Sequence, residues 1–284
     1  MSVPSGLAWS GAAVLLLALF LWLGLPALLK SLGLHADYRG PRYQLPGKRA
    51  LIVTTSQATL DKPGGGGGKA TGVFGSEMTM PYYAFKDGGM QVDLASMRGG
   101  PIPIEPDSFR WFLACGADRR YLGDAEFQAK VRNSLAVAQV DLSRYDVIFF
   151  AGGWGAAYDL GRSDELGAGV SRAWAAGRVL GGVCHGPLGL LRARDSSGAP
   201  LVQGKRLTAV TDRQVRQLGI PFTPQHPERE LRAAGALFES SRAALDIFAQ
   251  HVVADGRLVT GQNQNAGTAT AQLMMQAAGG QPVP

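Results

Sequence analysis

The chain has 284 residues, 46% of them apolar, and a formal net charge of +6. That length suits one large domain or two small ones, and the composition is sufficient for a packed core. Its two cysteines, Cys115 and Cys184, could form one bridge at most, so the chain has no disulfide framework. Neither belongs to a Cys-x-x-Cys pair, which argues against a structural zinc site. No basic stripe with interleaved aromatic residues is present, so we expect no nucleic-acid partner.

The N-terminal region is a long apolar segment. Residues 7–29 carry no charge, and at about 1.5 Å per residue they suffice for a hydrocarbon core of about 30 Å. A cleaved signal peptide is the alternative, but residues 1–10 contain no Lys or Arg and 25–29 is a poor cleavage site. We therefore predict an uncleaved single-pass transmembrane anchor over 1–30 and a juxtamembrane linker over 31–48.

Basic residues are concentrated directly after this segment. They are Lys30, Arg39, Arg42, Lys48 and Arg49. Because positive charge flanks membrane spans on the cytoplasmic side, this bias favours a cytoplasmic position of the following domain over a periplasmic one.

From residue 49 onward, short apolar runs alternate with helical patterns. Strands are predicted over 50–55, 90–97, 145–150 and 179–183, and helices over 76–86, 124–140, 163–176, 228–234 and 265–278. Hairpins are predicted around Gly204-Lys205 and Asp255-Gly256, and the glycine run 64–68 is predicted to be a surface loop. This alternation predicts one α/β domain over 49–284, with a doubly wound, mainly parallel sheet and helices on both faces.

Three glycine-rich turns follow or precede these elements, over 71–77, 152–155 and 183–187. In open α/β sheets, ligands bind at the carboxyl ends of the strands, so these turns mark the candidate site. Cys184 ends an apolar strand at a sharp turn, the pattern of a nucleophile elbow, and a following helix N-terminus would lower the pKa of its thiol. The alternative is a buried structural cysteine. His185 and Glu77 also have two interpretations each: a side chain that transfers protons in a reaction, or an ordinary residue at a helix N-terminus without a catalytic role.

Four blocks, over 71–77, 145–155, 182–187 and 258–263, resemble the ThiJ/PfpI family of the class I glutamine amidotransferase-like superfamily. The similarity is greatest to its branch of heat-shock chaperones and glyoxalase III enzymes. The resemblance implies a flavodoxin-like sandwich with Cys184 as nucleophile and Glu77 as the acid that contacts its sulfur. It also implies an oxyanion site formed by the backbone N–H groups of Gly153 and His185, and no metal or organic cofactor.

One position departs from that family pattern. In the chaperone-type branch a third acidic residue orients the histidine, whereas Val215 stands at that position here. Asp212 is close in the sequence and is the candidate substitute.

Three functions follow from the resemblance. The first is a cysteine-dependent glyoxalase III or deglycase that acts on a small carbonyl compound such as methylglyoxal. The second is a membrane-tethered stress chaperone without catalysis, which Val215 favours. The third is a PfpI-type amide hydrolase or a glutamine amidotransferase-like protein. A homodimer is an expectation at the level of the family.

Overall fold

The computed structural model describes residues 5–220, 222–241 and 246–283. Its centre is a seven-stranded sheet of order β3-β2-β1-β4-β5-β9-β8, parallel except for the last pair, beside a two-stranded sheet of β6 and β7. The strands are β1 Arg49–Thr54, β2 Gln91–Ser96, β3 Leu135–Ala136, β4 Val147–Phe150, β5 Val179–Val183, β6 Arg206–Leu207, β7 Leu237–Phe238, β8 Val252–Asp255 and β9 Leu258–Gly261. The predicted mainly parallel α/β sheet is confirmed.

Helices cover both faces of the sheet. They are α3 Gly75–Asp87, α4 Gly116–Leu122, α5 Ala125–Arg132, α6 Ala156–Asp159, α7 Asp164–Ala175, α8 Asp212–Gln217, α9 Pro227–Ala233 and α10 Gly267–Ala278. Two further helices, α1 Ser5–Leu19 and α2 Leu25–Ser31, form the apolar N-terminal segment. Alternate residues of a strand point to opposite faces. Accordingly, Ile52 of β1 belongs to the core layer that includes α3 and α10, and Leu51 to the layer that includes α7.

Two local predictions are wrong. The helix predicted over 124–140 ends at Arg132, because the chain then enters the sheet as β3 beside β2. No hairpin forms around Gly204-Lys205. Instead β6 pairs in parallel with β7, and Leu201 and Val202 are buried in the core layer that includes α7.

The second predicted hairpin is confirmed. β8 and β9 pair antiparallel, with Asp255 opposite Leu258. Gly256 lies between them with a φ of 60°, the left-handed conformation that a tight two-residue turn requires. This hairpin sets β9 next to β5, the strand that leads into Cys184.

The apolar N-terminal segment is helical. Residues Ser10–Ser31 are long and apolar enough to cross a membrane, by length and composition alone, and their side chains are largely exposed. A π-helical turn, Phe20–Gly24, interrupts the helix just before Pro26. Proline lacks the N–H that an α-helix needs and crowds the preceding turn, which accounts for the local widening.

The segment between this helix and β1 lies against the domain. The backbone N–H of His35 donates to Asn265 Oδ1 at 2.8 Å, and that of Tyr43 donates to Gln272 Oε1 at 2.9 Å. Leu34 is buried. The predicted linker is therefore held to the domain at several points, and this contact fixes the end of the apolar helix near the domain surface.

Candidate active site

The backbone at Cys184 is strained. β5 ends at Val183, and Cys184 has a φ of 59°, which costs a non-glycine residue about 1–3 kcal/mol. Two hydrogen bonds hold it: its N–H donates to Gly261 O at 3.2 Å, and its carbonyl accepts from Val210 N–H at 3.0 Å. The sharp turn predicted for a nucleophile elbow is confirmed. The element after it, however, is a 3-10 helix of five residues, Gly186–Leu190, rather than a longer α-helix.

Glu77 lies beside this cysteine. It occupies the first turn of α3 and is 2% exposed, and its carboxyl group lies close enough to the Cys184 thiol for each group to affect the pKa of the other. Burial raises the pKa of Glu77 to about 8, against the opposing effect of hydrogen bonds from Cys184 and from the N–H groups of Gly152 and Gly153. Since the charged form of a buried carboxyl is disfavoured, Glu77 is mainly protonated at neutral pH.

The thiol is affected in the same direction. Burial, and after it the charge on Glu77, raise the pKa of Cys184 above its usual range, while the N–H groups of Gly153 and His185 act in the opposite sense. The prediction that the turn lowers the pKa of this thiol is therefore wrong. The following helix is short, and desolvation outweighs its N–H groups. Both members of the pair hold their protons at rest.

Glycines allow these groups to approach one another. A Cβ on Gly152 would collide with Glu77 Oε2, His185 N and Val183 O. Gly153 has a φ of 96°, and its own Cβ would collide with backbone atoms of the 71–77 turn. The three glycine-rich turns identified in the sequence thus meet at one point, at the carboxyl ends of β4 and β5.

His185 is fully buried, and its Nδ1 lies 3.4 Å from Cys184 Sγ. Its ring also contacts the Trp154 ring edge to face, with centroids 4.9 Å apart. Burial lowers the pKa of His185 to about 3, so the imidazole is neutral at physiological pH. Within the described part of the chain, its Nε2 has no hydrogen-bond partner.

Asp212 does not orient this histidine. Its carboxylate lies 3.1 Å from His226 Nδ1 and 3.7 Å from Arg229, on the first turn of α8. Val215, on the same helix, is buried in the core layer that includes α3. The suggestion that Asp212 replaces the missing acid is therefore not supported by the geometry, because closer basic partners hold its carboxylate.

A cavity of about 790 Å³ opens onto Cys184, Glu77 and His185. Gln214 also lines it, and its buried Oε1 has no partner among the described residues. The sequence gives no signal for Gln214, because the family pattern singles out only its neighbour Val215. Across residues 5–220, 222–241 and 246–283, no three His, Cys, Asp or Glu side chains come together in a way that could hold a metal ion.

A model of the DJ-1/PfpI family matches residues 70–277. This chain belongs to the DJ-1/PfpI family. The match confirms the ThiJ/PfpI resemblance inferred from the glycine-rich blocks, and it includes all three turns of the site.

Named proteins of other organisms resemble the chain over most of their length. A Candida albicans protein named glyoxalase 3 is 30% identical over 226 residues, which cover 74% of this chain and 91% of that protein. A Schizosaccharomyces pombe protein named glutathione-independent glyoxalase hsp3102 is 27% identical, covering 81% of this chain and 98% of its own. The crystal structure of Candida albicans glyoxalase III gives a TM-score of 0.71 at 26% identity, over 81% of this chain and 97% of that one.

Proposed function

We propose that this chain is a glutathione-independent glyoxalase that uses Cys184 to convert 2-oxoaldehydes such as methylglyoxal into 2-hydroxy acids. The observation that carries the proposal is the strained Cys184 beside a protonated Glu77 and a neutral His185 at the end of one cavity. Two relatives described above are named for the same activity.

The first step forms a hemithioacetal. Cys184 sulfur bonds to the aldehyde carbon, and the thiol proton passes to His185 Nδ1, which lies 3.4 Å from the sulfur. Glu77 gives its proton to the aldehyde oxygen and becomes a carboxylate. The thiol loses its proton only as the carbon–sulfur bond forms, which agrees with its raised pKa.

The second step moves a proton between adjacent carbons. The Glu77 carboxylate takes the hydrogen from the former aldehyde carbon, His185 gives its proton to the neighbouring ketone oxygen, and an enediol results. Glu77 then returns its proton to the second carbon, and the hydroxyl on the carbon bonded to sulfur loses its proton to His185. The product is a thioester of a 2-hydroxy acid. Water hydrolyses this thioester: Glu77 takes a proton from the attacking water, and His185 returns its proton to the departing sulfur, which releases the acid and restores the thiol.

Lactate release from methylglyoxal without glutathione tests the proposal. We expect Cys184→Ala to abolish turnover and Glu77→Gln to lower kcat by about 10²- to 10⁴-fold, the usual contribution of a general acid–base group. The control is Cys115→Ser. Cys115 is the other buried cysteine; it lies at the N-cap of α4, where a serine hydroxyl can replace its capping hydrogen bond. Unchanged turnover in Cys184→Ala would refute the mechanism.

A chaperone without catalysis is the second candidate function, because His185 Nε2 lacks the orienting acid of the related branch. The same variants distinguish the two functions. Suppression of client aggregation that persists in Cys184→Ala, in a chain that releases no lactate, would assign the chaperone role instead.

We further propose that the helix ending at Ser31 anchors the domain in a membrane. Its apolar stretch Ser10–Ser31 supports this proposal, although a signal sequence has a similar length and composition. The two differ in their fate: an anchor remains in the mature chain, whereas a signal sequence is removed.

A further inference from the structure

The cavity is much larger than a three-carbon aldehyde requires. Its volume of about 790 Å³ falls in the range of about 300–1,000 Å³ that is typical of sites for drug-sized ligands. Methylglyoxal has five non-hydrogen atoms, and a water molecule occupies about 30 Å³. If the proposed function is correct, methylglyoxal would therefore fill only the end of the cavity beside Cys184.

The walls beyond Cys184 are largely apolar. The side chains that form them are Leu60, Phe74, Leu113, Val210, Leu218 and Ile220. Further charged groups border the cavity. Lys69 pairs with Asp107 at 3.0 Å, and Glu105 accepts a hydrogen bond from Thr71 at 2.6 Å, whereas Lys62 forms no ion pair with a described residue. The groups that have partners do not require a polar ligand, and the apolar walls gain stability when hydrocarbon replaces water.

One wall of the cavity also lies close to the apolar N-terminal helix. Leu113 lines the cavity, and Trp111, two residues before it, stacks on Trp22 with ring centroids 4.8 Å apart. Trp111 is 40% exposed and Trp22 is 60% exposed. An apolar surface thus reaches from the helix to the loop that borders the cavity, a suitable arrangement for a substrate with a hydrocarbon tail.

We infer that the substrates of this site are 2-oxoaldehydes that carry an extended apolar chain. The inference rests on the proposed glyoxalase function and specifies its substrate class. The dicarbonyl end lies against Cys184, Glu77 and His185, and the chain lies against the apolar walls. The chemistry at the dicarbonyl is the same as for methylglyoxal, so no further reactant is needed.

A series of alkylglyoxals, from methylglyoxal to hexylglyoxal, tests the inference with the full chain in lipid nanodiscs. Each methylene buried against the walls should raise kcat/KM about threefold to fourfold. A hexylglyoxal with a terminal hydroxyl should lose most of that gain. If kcat/KM stays constant or falls with chain length while the protein still converts methylglyoxal, the inference is overturned and the proposed function stays intact. Absence of turnover across the whole series would instead refute the function.

Two exposed leucines provide a matched pair of variants. Leu218 lines the cavity and is 47% exposed, whereas Leu237 lies in the two-stranded sheet and is 56% exposed. Leu218→Ser should lower the ratio of kcat/KM for hexylglyoxal to that for methylglyoxal by at least about threefold, and Leu237→Ser should leave the ratio unchanged. The substrate partitions into lipid equally with both variants, so the comparison isolates the effect of the cavity wall on kcat/KM. Equal ratios in both would contradict the inference.

Discussion

Glu77 illustrates how burial sets the chemistry of a single residue. A carboxyl group in the first turn of a helix is ordinarily ionised, because the helix N-terminus favours negative charge. Here the side chain is 2% exposed and lies beside a thiol, and burial raises its pKa to about 8. The residue can therefore act first as an acid and then as a base, which the proposed reaction requires.

This raised pKa predicts a pH-dependent stability. An unfolded Glu loses its proton near pH 4.3, whereas folded Glu77 keeps it to about pH 8, so its contribution is complete below the unfolded pKa and is lost as pH rises. Between about pH 6.5 and 8, the free energy of unfolding should fall by up to about 1.4 kcal/mol per pH unit. The lowered pKa of His185, about 3, adds no slope here, because its contribution is already complete above an unfolded pKa of about 6.5.

Urea unfolding of the full chain across that pH window checks the prediction. Glu77→Gln should remove the slope, because an amide does not titrate. Glu165→Gln, a matched change at an exposed carboxylate in the first turn of α7, should keep it. An identical slope in the Glu77→Gln variant would show that another group is responsible.

At the level of elements, the site depends on three turns that pack without side chains between them. Gly152 follows β4 and lies against Glu77 of α3 and the backbone of Val183 and His185. The approach of these turns sets the position of the carboxyl relative to the sulfur. A small displacement of one turn therefore alters the geometry of the whole site.

Gly152→Ala tests this dependence. The added methyl group collides with Glu77 Oε2 and two backbone atoms, so we expect a loss of stability of about 1–3 kcal/mol and a fall in kcat/KM of roughly 10²-fold. Lactate release and urea unfolding provide the two measurements. The control is Gly116→Ala at the start of α4, where a Cβ would meet nothing within 4 Å; its stability should change by less than about 0.5 kcal/mol. Full activity in Gly152→Ala would contradict the close approach of the turns.

The elements that the sequence predicts well are those with a local signal. Apolar runs predict β1, β4 and β5, and Ser163 predicts the start of α7, where its hydroxyl accepts the N–H of Leu166 at 3.1 Å. Parallel pairing of β6 with β7, 31 residues apart between Arg206 and Leu237, has no such local signal. Glycine and proline patterns predict where turns occur, but they do not predict which distant segment lies beside each turn.

The same distinction applies to the site. The position of the turns at strand ends predicts a site at one edge of the sheet, since the carboxyl ends of parallel strands share that edge. The contact of Glu77 with Cys184 is implied only by the resemblance to the ThiJ/PfpI family. The direction of a pKa shift depends on burial from all sides, which no single block of sequence contains. Likewise, Asp212 pairs with His226 rather than His185 because of how α8 and α9 pack, a tertiary fact.

On the scale of the whole molecule, the basic residues after the apolar helix have two roles. Lys48 and Arg49 pair with Asp146 and Asp93, each at 3.0 Å, and so belong to the folded domain. The other basic residues after the apolar stretch are Lys30, Arg39 and Arg42, whereas residues 1–10 contain no Lys or Arg. The number of basic residues is therefore still greater after the helix than before it. This bias continues to favour a cytoplasmic domain if the helix spans a membrane.

Labelling of a single exposed cysteine tests that orientation. In a chain carrying Cys115→Ser and Cys184→Ala, the change Ser197→Cys supplies one thiol on an exposed turn. We expect a membrane-impermeant maleimide to label it only after the cells are permeabilised, because a cytoplasmic domain lies behind the membrane. The chain should also remain in the membrane pellet at alkaline pH and retain residues 1–30 by intact mass. Labelling in intact cells would show that the domain lies on the opposite, non-cytoplasmic side. A chain shortened by its apolar segment would identify that segment as a signal peptide.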